Sequence, residues 1–274
     1  MTRVAIAIPA RYGSTRFPGK PLAVINGKTM LQRVYEIAQI AAAAYDNISI
    51  FITTEDRRIV THCEELGAPC ITTPPSCPTG SDRVLSAIRQ LDIWPDFIIN
   101  LQGDAPFPPP SVIQKMIDAF EDNARAEVIT PVHKLSWTDL DKLKKSKKKT
   151  PFSGTTATVN KQGRALWFSK NIIPAIRNEK ELRAQSTYSP VYQHIGLYGF
   201  RSDILERFCR LPQGTYEELE GLEQLRMLEN GIRIDTVDIG IEDGIIQSGI
   251  DSPEDIKRAE KHIKKHGEFL QVAG

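Results

Sequence analysis

The sequence predicts an α/β fold in which a mostly parallel central sheet is covered by helices on both faces. Two observations carry this prediction. The apolar run VAIAIPA near the start has the length and composition of a buried strand. Strand and helix signals then alternate through the first half, the pattern of a parallel sheet built from crossover units.

The elements follow in order. After VAIAIPA comes RYGSTRFPGK, a loop marked by Gly13, Pro18 and Gly19. Asn26-Gly27 reads as a turn before a helix. Residues 29–43 show helical apolar spacing at Met30, Leu31, Val34, Ile37 and Ala41. NISIFIT (47–53) reads as a strand, 56–66 as a helix and 68–72 as a short strand. Residues 80–91 suit a helix with Val84, Leu85, Ile88 and Leu91 on one side, and DFIINLQ (96–102) a strand that runs into GDAPFPPP. In such sheets ligands sit beyond the carboxyl ends of strands where strand order reverses, which singles out the loops 10–20 and 102–110.

The second half is less regular. KLKKSKKKT (142–150) reads as a solvated, mobile connection. Strands are expected at 155–160 and 164–169, joined by a turn at 161–163, and a flexible polar loop at 178–190. HIGLYGF (194–200) reads as a strand and 218–231 as one amphipathic helix stopped by Gly231. IRIDTVDIG is a strand, and DSPEDIKRAEKHIKK is the last helix.

Composition excludes several classes. At 274 residues the chain has room for one large α/β domain or two small ones. The expectation is a single domain over 1–274, with 1–135 mainly binding nucleotide and 136–274 mainly binding acceptor and forming a dimer. Lys and Arg number 35 against 34 Asp and Glu, so charge balance gives no reason to expect nucleic acid or an anionic membrane as partner. No apolar run approaches the ~20 residues a membrane helix needs. Cys63, Cys70, Cys77 and Cys209 form no C-x-x-C pair, which argues against a zinc site. With no export signal visible, a cytoplasmic protein with reduced thiols is expected.

Three loops carry candidate chemistry. Loop 10–20 concentrates Arg11, Arg16 and Lys20 with Gly13, Ser14 and Thr15. Cations neutralise phosphate, and Gly lets backbone N–H groups approach its oxygens, so this is either a triphosphate cradle or an exposed basic turn. It is not a Walker A loop: the Gly13 to Gly19-Lys20 spacing is one residue too long, and Pro21 stands where Ser or Thr is needed. In NLQGDAP, Asp104 follows a buried strand and is either a cation ligand or an Asx turn. In GIDSPED, Ser252, Pro253 and Asp255 suit N-cap, N1 and N3 positions, which leaves Asp251 unexplained by capping. Asp104 and Asp251 together suit Mg²⁺, which takes one or two carboxylates plus phosphate oxygens.

These segments together are similar to one family. IPARYGSTRFPGKPL, TGSDRV, NLQGDAP, ALWFSKNIIP, HIGLYGFR, LEQLRMLENG and GIDSPEDI resemble the 3-deoxy-manno-octulosonate (Kdo) cytidylyltransferases, or CMP-Kdo synthetases, over about residues 3–262. The resemblance implies a nucleotide-diphospho-sugar-transferase-like three-layer sandwich, usually a homodimer, that couples CTP to a 2-keto-3-deoxy sugar acid with Mg²⁺. It implies that Arg11, Gly13, Ser14, Arg16 and Lys20 hold phosphates, with Ser81, Arg83 and Gln102 near the nucleotide. It implies metal at Asp104 and Asp251, and an acceptor pocket of Gln102, Arg177, His194, Tyr198, Glu223 and Gln224. The catalytic set would be Arg11, Lys20, Asp104 and Asp251.

The chain departs from the family pattern at three places. Ala105 replaces a Glu or Gln, Thr156 stands where a Lys is expected, and Glu55 replaces an Asp. The first two lie on the acceptor side. They motivate an alternative acceptor: 8-amino-Kdo, another ulosonic acid, or a phosphonate such as phosphonoformate. A non-catalytic nucleotide-binding homologue is a third reading, against which both aspartates argue.

Overall fold

The computed structural model describes residues 2–13, 17–240, 250 and 253–266. Its first half alternates as the sequence predicts. β1 (Val4–Pro9) leads to a 3-10 turn (Lys20–Leu22) and a small hairpin of β2 (Val24–Ile25) and β3 (Lys28–Thr29). Then come α1 (Met30–Ala42), β4 (Ile48–Thr54), α2 (Arg57–Leu66), β5 (Cys70–Thr72), α3 (Gly80–Ile88), β6 (Phe97–Asn100) and α4 (Pro110–Asp122). The second half runs β7 (Val128–Ser136), α5 (Trp137–Lys147), β8 (Thr155–Val159), β9 (Ala165–Ser169), α6 (Glu179–Gln185), β10 (Tyr188–His194) and β11 (Tyr198–Arg201). It closes with α7 (Ser202–Cys209), α8 (Thr215–Glu220), α9 (Glu223–Glu229), β12 (Ile234–Asp238) and α10 (Pro253–His266).

One ten-stranded sheet runs β5-β4-β1-β6-β11-β7-β10-β8-β9, with β12 beside β7. β5, β4, β1 and β6 are parallel, and β12 is parallel to β7. β11, β10 and β9 enter antiparallel to their neighbours. Seven of the ten strands therefore share one direction, the mostly parallel sheet expected. The chain steps outward from β1 to β4 and β5, then returns to β6 on the other side of β1. The order reverses there, so a crevice opens beyond the carboxyl ends of β1 and β6.

The alternation of β1 builds the three layers. Ile6 and Ile8 face a core shared with Leu31 and Val34 of α1 and Met116 of α4. Ala5 and Ala7 face the other core, with Val84 and Ile88 of α3 and Phe208 of α7. Side-chain caps fix where helices begin: Thr29 accepts from Gln32 N at 3.1 Å, and Thr79 forms a capping box with Asp82.

Four local expectations are corrected. The basic run 142–150 is not a mobile connection: through Lys147 it is the end of α5, begun by the Ser136 cap and tied by Lys144 to Glu179 at 2.9 Å. Segment 178–190 is not a flexible loop, because α6 and the start of β10 occupy most of it. The strand expected at 194–200 is interrupted: β10 ends at His194 and β11 begins at Tyr198. The single helix at 218–231 is two, broken where Gly221 takes φ +61. A left-handed residue ends a helix, and Gly takes it without the Cβ penalty.

Candidate active site

Two clefts meet beyond the carboxyl ends of β1 and β6. The first, about 760 Å³ and open to solvent, is lined by Arg11, Lys20, Thr79, Arg83, Gln102 and Asp104 among others. The second, about 1140 Å³, is lined by Ala105, Lys170, His194, Tyr198 and Gln224, and again by Gln102 and Asp104. Gln102 and Asp104 thus form a shared wall.

The first cleft is cationic with a carboxylate at its rim. Lys20, in the 3-10 turn, is 6% exposed, yet its Nζ donates to Asp104 Oδ2 at 2.8 Å. The Asp104 side chain is 49% exposed, so the pair sits where a ligand can reach it. Buried Arg83 donates to Thr73 Oγ1 at 2.8 Å and lies 2.6 Å from Glu55 Oε2. Glu55, the departure from the family Asp, therefore reaches the same arginine from the turn after β4. The backbone N–H of Gly103 donates to Pro9 O at 3.3 Å, which ties the 102–104 loop to the end of β1.

A buried polar chain sets the Gln102 amide. Ser81 Oγ donates to Glu223 Oε1 at 2.9 Å and accepts from Asn100 Nδ2 at 3.2 Å. Asn100 Oδ1 accepts from Gln102 Nε2 at 3.1 Å. The chain leaves the Gln102 carbonyl oxygen at the Gly80 side, where a Cβ on Gly80 would stand 3.2 Å from it. Burial raises the Glu223 pKa, and the Ser81 hydrogen bond opposes that shift.

The second cleft is floored by neutral groups. Thr130 Oγ1 donates to Leu197 O at 2.8 Å, so it accepts from His194 Nε2, also at 2.8 Å. That fixes the Nε2–H tautomer and turns Nδ1 toward Gln224 Nε2 at 3.5 Å. Burial and the nearby Lys170 charge push the His194 pKa down to about 3, so the ring is neutral at physiological pH. Burial, then Glu223, holds the Tyr198 hydroxyl protonated well above its usual range.

His194 makes the fold acid-sensitive. Between its ordinary value of 6.5 and about 3, the unfolded chain binds a proton that the folded chain does not. This contribution is flat above 6.5 and lost progressively below it. His194→Gln keeps a side-chain amide at the site without the titrating ring. Its acid-unfolding midpoint, followed by circular dichroism, should fall below that of the parent. Coincident midpoints would contradict the assignment.

The structure brings most of the expected residues together. Arg11, Lys20, Arg83, Gln102 and Asp104 line the first cleft, and Gln102, His194, Tyr198 and Gln224 line the second. Ser81 and Glu223 line neither and act in the polar chain behind Gln102. Arg177 is exposed and lines neither cleft. Gly13 is described, but Ser14, Arg16 and Asp251 lie outside the described residues. Ile250, next to Asp251 in sequence, donates its N–H to Asp104 O at 3.3 Å. Thr156 is buried away from the cleft, bonded to Asn171 O at 2.7 Å and Ile173 N at 3.1 Å.

Sequence reasoning missed Lys170, whose Nζ donates to Thr155 Oγ1 at 3.3 Å in the second cleft. The available signal was its place directly after the strand ALWFS, a cation at the mouth of a buried strand.

The fold and paired clefts define a nucleotidyltransferase-type α/β protein. The family model described as cytidylyltransferase matches residues 5–234, and the chain belongs to that family. It is 40% identical over 267 residues to the 3-deoxy-manno-octulosonate cytidylyltransferase of Maricaulis maris (strain MCS10), covering 97% of this chain and 99% of that one. It is 38% identical over 262 residues to the 8-amino-3,8-dideoxy-manno-octulosonate cytidylyltransferase of Shewanella sp. (strain ANA-3), covering 95% and 98%. A solved CMP:2-keto-3-deoxy-manno-octonic acid synthetase complexed with CTP superposes with TM-score 0.81 at 30% identity, covering 96% of this chain and 99% of that one. A cytidylyltransferase from Leptospira borgpetersenii shares the fold at TM-score 0.57 and 17% identity.

Proposed function

We propose that this chain transfers CMP from CTP to the anomeric hydroxyl of Kdo and releases pyrophosphate. The observation that carries this reading is the wall of Gln102 and Asp104 shared by a cationic cleft and a second cleft where His194, Tyr198 and Gln224 stand among apolar side chains. A nucleotide α-phosphate and an acceptor hydroxyl bound on either side of that wall would meet there. Each half of the reading has support among the relatives: a CTP complex in the structural neighbour and a Kdo enzyme in the sequence neighbour.

The reaction needs positioning and charge neutralisation more than covalent help. Arg11 and Lys20, with Arg16 and the Gly13–Ser14 backbone, would hold the triphosphate. The acceptor oxygen bonds to the α-phosphorus as the bond to pyrophosphate breaks, and its proton leaves to solvent. Gln102, held by Asn100, and Gln224, facing the His194 ring, would read sugar hydroxyls. Tyr198, kept protonated, donates as a neutral hydroxyl.

Asp104 suits a divalent cation: it is a half-exposed hard-oxygen ligand at the junction, already compensated by Lys20. Among the described residues no group of three His, Cys, Asp or Glu could cage a metal. Asp104 with Asp251 and phosphate oxygens is the donor set Mg²⁺ prefers. When bound, the ion would neutralise charge on the phosphates and favour ionisation of the attacking hydroxyl.

The lining of the second cleft favours Kdo over its 8-amino analogue. Its described charged residues are Lys170 and Asp104, and Asp104 pairs with Lys20 and is the carboxylate assigned to the cation. Among the described residues no further carboxylate lines it to receive an ammonium group. With CTP and Mg²⁺, kcat/KM for Kdo should exceed that for 8-amino-Kdo or phosphonoformate by at least about tenfold. A preference for either competitor would move the acceptor assignment and keep the chemistry. Tight CTP binding without turnover of any acid would favour a non-catalytic homologue.

The division of labour would follow the clefts: 1–135 holds nucleotide, and 136–274 completes the acceptor side. We place the reaction in the cytoplasm, where CTP is made. No helix among the described residues is long and apolar enough to cross a membrane. A homodimer is proposed through the edge strand β9 and its neighbours, where Phe152, Leu166, Tyr216 and Leu219 are exposed.

A further inference from the structure

Neither cleft uses the basic run 142–150 directly, yet one of its lysines is built into the wall of the second. Lys147, the last residue of α5, is half-buried among main-chain oxygens. Its Nζ donates to the carbonyls of Pro151 at 3.3 Å, Ser153 at 2.6 Å, Gly154 at 3.0 Å and Lys170 at 2.5 Å. An ammonium has three protons, so four acceptors engage its full donor capacity. Gly154 and Lys170 both line the acceptor cleft, and Thr155 between them accepts from Lys170 Nζ. Lys147 thus ties the loop that enters β8 to the residue that leaves β9.

The helix that carries Lys147 is itself anchored. Trp137 Nε1 donates to Ser186 O at 2.8 Å, and the Arg183 guanidinium stacks 4.5 Å over the Trp137 ring. At the carboxyl end of α5 the ammonium also faces the negative pole of the helix. Burial and the neighbouring Lys170 charge lower its pKa, and the Glu220 carboxylate opposes that shift.

We propose that Lys147 is a positioning residue: its ammonium holds the 151–155 segment against Lys170 and so sets the shape of the acceptor cleft and the place of the Lys170 side chain. This rests on the reading of that cleft as the acceptor site. The residues whose carbonyls Lys147 bonds are not among the described lining of the nucleotide cleft, so the effect should fall on one substrate.

The test is the kinetics of Lys147→Met and Lys147→Arg, with backbone hydrogen exchange on the same proteins. Lys147→Met should raise the acceptor KM roughly 10- to 100-fold and leave the CTP KM within about twofold. Arg, which keeps charge and donors, should recover part of the loss. Amides of 151–155 should exchange faster in Lys147→Met, with those of β1 and β6 unchanged. An unchanged acceptor KM, or a parallel rise in both KM values with protection lost across the sheet, would overturn the proposal. If the parent turns over no ulosonic acid, the acceptor reading fails. The exchange data then still decide whether Lys147 holds the wall.

Discussion

Asp104→Asn should lower kcat/KM for CMP transfer by about 10³-fold while the protein stays folded. The amide is isosteric and still accepts from Lys20 Nζ, so the 3-10 turn keeps its anchor. It loses the negative charge that the shared wall presents to both clefts, and with it the hard anionic ligand for a divalent cation. The same substitution at Asp251 should act alike, since the backbone beside it bonds to Asp104 O. The two losses should combine to less than their product if both carboxylates serve one ion. Steady-state kinetics beside thermal unfolding separates these effects, and parental turnover in Asp104→Asn would contradict the two-aspartate account.

Gly199→Ala should destabilise the fold by about 3 kcal/mol or more. A Cβ at position 199 would lie 2.1 Å from Phe97 Cζ. That ring is fully buried and stacked on Phe120 with centroids 4.2 Å apart, so it has nowhere to go. Relief has to come from the backbone, where Gly199 pairs with Ile99 across β11 and β6. Because Tyr198 precedes it in the acceptor cleft, the acceptor KM should rise as well. Urea unfolding measures the first effect, and a midpoint unchanged from the parent would refute the close approach.

The readable parts of the sequence were those governed by local rules. The apolar runs of β1, β4 and β6 and the spacing of α1 needed only period and turn residues. Asp104 was legible as a carboxylate shortly after a buried strand, and Lys20 as a cation of the Gly-containing loop 10–20. What escaped depends on distant partners. Lys147 looks like any solvated lysine until the 151–154 carbonyls close around it. Glu223 reads as a pocket residue by resemblance, and only the fold brings Ser81 between it and Gln102. The break at Gly221 was available in principle, but apolar periodicity on both sides outweighed a single glycine. Arg177 shows the same limit from the other direction: a cation near the right strand, exposed and outside both clefts.

The most direct test of the central claim is phosphorus NMR of the protein with CTP, Mg²⁺ and Kdo, beside a control without acceptor. The CTP α-phosphate signal should convert to a CMP-sugar phosphodiester with one pyrophosphate per transfer, and only when acceptor is present. Unchanged CTP with Kdo and every other acid, or hydrolysis to CMP that ignores the acceptor, would contradict it.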